Sequence, residues 1–199
     1  QIQDISSMLA GEYTAPKAGD TIVDVCGAPG GKSINAALKM SEQGDCGRVI
    51  ARDLSDYKVA LIDENIKRLN ITNIQTQVYD ALDCDESLIN KADIVIADLP
   101  CSGLGIIGRK PDIKYNASPE KLQSLVDLQR DILKVVSRYV KSGGVLMYST
   151  CTINRAENED NADWICKESG FTKDGEYHQL LPANNSGMDG FFVARLIKS

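Results

Sequence analysis

The feature that most constrains this chain is the regular alternation of short β-branched apolar runs with segments of helical period. "TIVDVC" (21–26), "RVIARD" (48–53), "IQTQVY" (74–79), "ADIVIADL" (92–99) and "GGVLMYST" (143–150) read as strands. Between them, 31–40, 55–70, 118–139 and 156–169 read as helices; in the second, Val59, Ile62, Ile66 and Leu69 share one face. Ser118-Pro119-Glu120 suits a helix start, because proline fits the first turn. The closing "GFFVARLIK" (190–198) alternates as a late antiparallel strand would. Strands alternating with helices predict an α/β fold, with a mainly parallel sheet and helices on both faces. Such open sheets bind ligands past the carboxyl ends of their strands.

That rule gives meaning to two thiols. "IVIADLPCSG" places Cys101 three residues after the acid that ends one strand, and "GGVLMYSTCT" places Cys151 directly after another. Both would lie on the ligand rim, where they could face each other across one cleft. The other cysteines are Cys26, Cys46, Cys84 and Cys166. Cys46, Cys84 and Cys166 sit in no motif and read as core filling, and Cys26 reads as a contributor to turn geometry. With no CxxC pair and a single histidine, His178, no zinc or other metal site is expected.

The 199 residues suffice for one domain with a proper core. No apolar run approaches the roughly 20 residues of a membrane helix, and no export signal is visible at the N-terminus. A cytoplasmic protein with reduced thiols is therefore expected, without a membrane partner. Nothing suggests an obligate protein partner, so a monomer is expected. The net charge of −6 argues against a free-standing nucleic-acid binder, but Arg109, Lys110, Lys114, Lys121, Arg130, Lys134, Arg138 and Lys141 crowd one stretch.

"DVCGAPGGKS" (24–33) is a strand, a tight turn and a helix start, where glycines admit close approach and free N–H groups point outward. It is one residue too short for a phosphate-binding G-x-x-x-x-G-K-[ST] loop, with Cys26 at the required glycine, and it lacks G-x-G-x-x-G. A third reading fits: the S-adenosylmethionine loop of a Rossmann-like methyltransferase, which needs no diphosphate cradle. Asp53 ends the second strand, where an acid accepts from ribose hydroxyls. Asp80 follows the third strand, where an adenine amine is expected, and Asp98 ends the fourth. Singly, each acid could equally be a helix cap or loop residue; together, in order, they favour the cofactor reading.

"DVCGAPGGK", "ARD", "YDAL", "DLPCSGLGIIGRKPDIKY" and "YSTCTINRAENE" resemble the successive motifs of the RNA cytosine-5 methyltransferases of the Nop/Sun family, most of all those that modify bacterial small-subunit (16S) ribosomal RNA. The opening "QDISSM" resembles the lead-in to that family's catalytic domain, so the likeness covers essentially the whole chain. One small departure is C-G-A-P-G-G-K, where C-A-A-P-G-G-K is common. The larger one is length: such enzymes carry an N-terminal RNA-binding domain, so the chain is expected to be one catalytic domain, the C-terminal part of something longer.

The resemblance implies transfer of a methyl group from S-adenosylmethionine to C5 of a cytosine in RNA, through a covalent adduct of a cysteine with C6. Cys151 is implied as the nucleophile, with Cys101 assisting proton removal or product release. DNA cytosine-5 methyltransferases put the nucleophile at the other of these two places, and spacing alone does not choose. Cys26, Gly27, Ala28, Pro29, Gly30, Gly31 and Lys32 would form the cofactor loop, with Asp53 and Asp80 contacting the cofactor and Asp98 lying between cofactor and base. Lys32 would approach the base or, as a helix-start lysine, face solvent. Arg109 and Lys110 are candidate phosphate contacts or simply solvated. Two other readings are an assembly factor that keeps the fold without turnover and a methyltransferase for small molecules or proteins. The paired cysteines offer nothing to the latter chemistry, and an amine-methylating enzyme would show Asn/Asp-Pro-Pro-aromatic where this chain has "DLPC".

Overall fold

The computed structural model describes residues 11–44, 47–182 and 189–199. The strands are β1 (Thr21–Asp24), β2 (Arg48–Asp53), β3 (Ile74–Val78), β4 (Ala92–Asp98), β5 (Val140–Thr150), β6 (Phe171–Lys173), β7 (His178–Leu180) and β8 (Phe191–Lys198). The helices are α1 (Gly31–Glu42), α2 (Asp56–Leu69), α3 (Ile113–Asn116), α4 (Pro119–Val136) and α5 (Glu159–Ser169). The sheet order is β3-β2-β1-β4-β5-β8-β6, with β7 also pairing with β8. Neighbours from β3 to β5 run parallel, whereas β8 runs antiparallel to β5, β6 and β7. The fold is therefore the expected mixed α/β sheet with a late antiparallel strand. "QDISSM" and Cys46 lie outside the described residues.

Period-two alternation splits the core into two layers. Val23, Val95, Leu146, Tyr148 and Phe192 point to the face covered by Ile132, Leu133 and Val136 of α4 and Ile165 of α5. Ile22, Ile94, Ile96, Met147 and Phe191 point to the opposite face, against Ala36, Ala37 and Met40 of α1. Leu133, Ile165 and Met40 are fully buried, and each such side chain contributes about 1.5–3 kcal/mol. Ser55 and Ser118 cap α2 and α4 by accepting from the Lys58 and Lys121 amides. Left-handed Asn70 and Gly170 end α2 and α5.

Several boundaries differ from the sequence reading. Strand β5 begins at Val140 rather than at 143, because Val140 pairs with Ala92 ahead of a register shift that includes Gly143, whose φ is +73°. Helix α4 stops at Val136, and a 3₁₀ turn over Arg155–Glu157 precedes α5. The three-residue strands β6 and β7 are too short for a recognisable alternation and exist because β8 supplies their hydrogen bonds.

Candidate active site

Parallel pairing brings the carboxyl ends of β1, β2, β4 and β5 to one rim of the sheet. The turn after β1 is tied to β2 by the Gly27 amide, which donates to the Arg52 carbonyl at 2.7 Å. A Cβ at Gly27 would lie 3.2 Å from the Asp24 carboxyl carbon. Gly30 has a φ of +100°, and a Cβ there would lie 3.1 Å from Ile62. Pro29 presents its carbonyl to Asn65 Nδ2 at 2.9 Å, while Gly31 and Lys32 open α1. The Asp53 carboxylate accepts from the Ala28 amide at 3.1 Å, the Leu54 amide at 2.8 Å and Lys58 Nζ at 2.9 Å. Asp80 accepts from the Leu82 amide at 2.9 Å.

These groups surround a cleft of about 360 Å³ that reaches Cys26, Ala28, Asp53, Asp80, Asp98, Cys101 and Cys151. S-adenosylmethionine offers a ribose diol, an adenine amine and an ammonium, all hydrogen-bond donors. Three carboxylates on one cleft are the complementary acceptors, and the narrow glycine turn leaves the backbone free to approach. The residues fit that cofactor.

Asp24, which sequence reasoning did not single out, lies beneath the turn. It is fully enclosed, and burial pushes its carboxyl up to about 6. Oδ2 accepts from Ser33 Oγ at 2.6 Å, while Oδ1 has no partner. Burial, with Asp24 nearby, raises the Cys26 thiol far out of the physiological range, so it stays protonated.

At the centre, Asp98 of β4 is in register with Ser149 of β5. Its carboxylate accepts from Ser149 Oγ at 2.7 Å and from Lys32 Nζ at 2.6 Å, so the Lys32 side chain is paired with Asp98 and largely out of solvent. The chain then continues past both strand ends and brings the sulfurs of Cys101 and Cys151 to 3.2 Å. Their hydrogen bond lowers the Cys151 thiol and raises Cys101, with burial adding to the latter. Of the two thiols, Cys151 is therefore the more acidic.

A buried polar network beneath the thiols also escaped the sequence reading. Glu157, fully buried, accepts from the Ser102 amide at 2.8 Å, Gln129 Nε2 at 3.0 Å and Asn154 Nδ2 at 2.9 Å. Gln129 also donates to the Pro100 carbonyl at 2.8 Å and accepts from Asn161 at 2.9 Å. Both peptide groups flanking Cys101 are thus held by one Gln–Glu pair. On the Cys151 side, Asn158 accepts from Thr150 Oγ1 at 2.6 Å and donates to the Thr152 carbonyl at 3.0 Å. Glu157, Asn154 and Asn158 lie within the quoted "YSTCTINRAENE", whereas Gln129 and Asn161 lie in no quoted motif.

Gly105 joins the two sides: its amide donates to the Cys151 carbonyl at 3.1 Å, and its carbonyl accepts from the Gly190 amide at 2.8 Å. Arg109 pairs with Asp189 at 3.1 Å, and Lys110 is exposed, so neither touches the thiols.

The model of a family described as 16S rRNA methyltransferase RsmB/F matches residues 12–197. The probable ribosomal RNA small subunit methyltransferase B of Bacillus subtilis (strain 168) is 38% identical over 216 residues, covering 99% of this chain and 47% of that protein. The ribosomal RNA small subunit methyltransferase F of Escherichia coli O157:H7 is 33% identical over 220 residues, covering 100% and 44%. The chain thus spans about half the length of these relatives. Among solved structures, NSun6 from Pyrococcus horikoshii with SFG superposes with a TM-score of 0.85 at 28% identity, covering 98% of this chain and 52% of that one. A methyltransferase homolog protein from the same organism gives 0.86 at 25% identity, covering 100% and 68%.

Proposed function

Because the chain belongs to the RsmB/F family of 16S rRNA methyltransferases, we propose that it methylates C5 of a cytosine in small-subunit ribosomal RNA, with S-adenosylmethionine as donor. The observation that carries the chemistry is the pair of sulfurs 3.2 Å apart at the mouth of the cofactor cleft. When bound, the cofactor supplies an electrophilic methyl group on a sulfonium sulfur. The Cys151 thiolate adds to C6 of the cytosine, and the displaced π electrons make C5 nucleophilic. C5 takes the methyl, the C5 proton leaves, and the C6–S bond breaks to restore the aromatic ring. Asp98, held by Lys32 and Ser149, presents its remaining lone pairs to the amines of cofactor and base. Cys101, 3.2 Å from the Cys151 sulfur, gives its proton to that sulfur as it departs, and the Cys101 thiolate so formed takes up the proton lost from C5.

The test is covalent trapping with ribosomal RNA in which 5-fluorocytosine replaces cytosine, since fluorine blocks the release step. Wild type with S-adenosylmethionine should give a denaturation-resistant protein–RNA adduct, and Cys151→Ala should give none. Cys101→Ala should keep the adduct and accumulate it even on ordinary RNA. Loss of the adduct only in Cys101→Ala would exchange the two roles. No adduct from wild type, even when joined to an N-terminal RNA-binding domain, would favour an assembly factor that keeps the fold without turnover.

A further inference from the structure

A second pocket, also lined by Cys101, measures about 340 Å³, within the roughly 300–1,000 Å³ of small-molecule sites. The reaction described above does not use it. Its walls are the Cys101–Ser102 turn, Ile113 and Ala117 around α3, and Lys121, Leu122, Ser124 and Leu125 on the first turns of α4. Ile113, Ala117, Leu122 and Leu125 make an apolar floor that is only half-buried, while Lys121 and Ser124 stand exposed at the rim. Cys101 lines both this pocket and the cofactor cleft, so the two adjoin at that residue. The segment 109–121 that frames it holds four basic and two acidic residues, in a chain whose net charge is −6. Tyr115, 80% exposed, lies on the same segment with Lys114 Nζ 4.8 Å from its ring.

We propose that this pocket receives the unpaired nucleobase adjoining the target cytosine on the same RNA strand, an inference that rests on the cytosine-in-RNA reading. A cytosine that reaches Cys151 has left its stack, which strips one face of its neighbour of its stacking partner. An apolar surface that adjoins the cleft at Cys101 offers that neighbour a replacement. Splayed bases held on apolar or aromatic surfaces are the usual means of reading single-stranded RNA. The basic rim favours a polyanion over an apolar peptide: with the base on the floor, the adjoining phosphates run past Lys121 and Lys114.

The experiment uses a synthetic RNA spanning the trapped cytosine, with 5-fluorocytidine at that position and an abasic ribose placed on one side of it or the other. The rate of adduct formation should fall roughly tenfold, about 1.4 kcal/mol, when one particular neighbour is abasic and stay unchanged for the other. Leu122→Trp, which fills the pocket, should produce the same loss with intact RNA and no further loss with the sensitive abasic RNA. Equal S-adenosylmethionine affinity in wild type and Leu122→Trp shows that the variant is folded. Adduct formation indifferent to both abasic positions, or losses that multiply in the variant, would overturn the pocket's role while leaving the methylation reading intact. Absence of any adduct, also with an N-terminal RNA-binding domain joined, removes the methylation reading, and this inference with it.

Discussion

Among single residues, Asp24 carries the sharpest contrast between place and chemistry. Its carboxyl is raised to about 6 by burial, against an ordinary value of 3.8, and one oxygen lacks a partner. A carboxyl whose folded value is raised favours the fold below about pH 4, and that contribution is lost as pH rises through 6. Asp24→Asn, which mimics the neutral acid, should therefore gain in melting temperature relative to wild type between pH 4 and pH 7. Equal differences at both ends of that range would show that Asp24 is not titrating in the fold. The sequence displayed this residue as the first letter of "DVCGAPGGK", yet its burial comes from the β1–α1 packing around it and leaves no local mark. Cys101 and Cys151 were legible because each follows a strand end. Which of them is the more acidic was not, since that depends on a 3.2 Å contact across fifty residues of chain.

For the elements, the decisive fact is the parallel pairing of β4 with β5. Asp98 opposite Ser149 fixes the two strand ends, and the loops beyond inherit that alignment. The strands were readable as apolar runs, and so the rim could be foreseen. The Gln129–Glu157 pair could not, because its partners come from the loop at Pro100–Ser102, from Asn154 ahead of the 3₁₀ turn and from Asn161 of α5. Gln129→Leu should cost about 2–3 kcal/mol, since it leaves the Pro100 carbonyl and Asn161 amide without partners in the interior, as urea denaturation would measure. Its adduct on ordinary RNA should also persist, as for Cys101→Ala, because the Cys101 turn loses its anchor; prompt release would show that the network serves stability alone. Gly105→Ala places a methyl against the Gly190 carbonyl and 2.7 Å from the Cys151 carbonyl. A loss of about 1–3 kcal/mol is expected from such crowding, again read by urea denaturation.

At the scale of the whole molecule, charge and architecture pull apart. A net charge of −6 leaves the 109–121 segment as a small basic island. Several basic residues beyond it are engaged: Arg130 with Asn161 and Trp164, Lys134 with Asp131 and Trp164, Lys141 with Asp93. The chain alone should bind single-stranded RNA weakly, with a log–log salt slope of about −2 to −3 if three or four phosphates are met. Lys121→Ala should flatten that slope by about 0.7, as fluorescence anisotropy at graded salt would show. Tight, salt-insensitive binding would contradict this weak, electrostatic mode. The antiparallel strand β8 adds a consequence in time. It pairs with β5 through Thr150, one residue before Cys151, and just ahead of it Gly190 bonds Gly105. A ribosome delivers these contacts after the other strands described, and domains fold as units. Both thiols precede this strand in the chain, so their loops gain its hydrogen bonds only once Phe191–Lys198 has emerged.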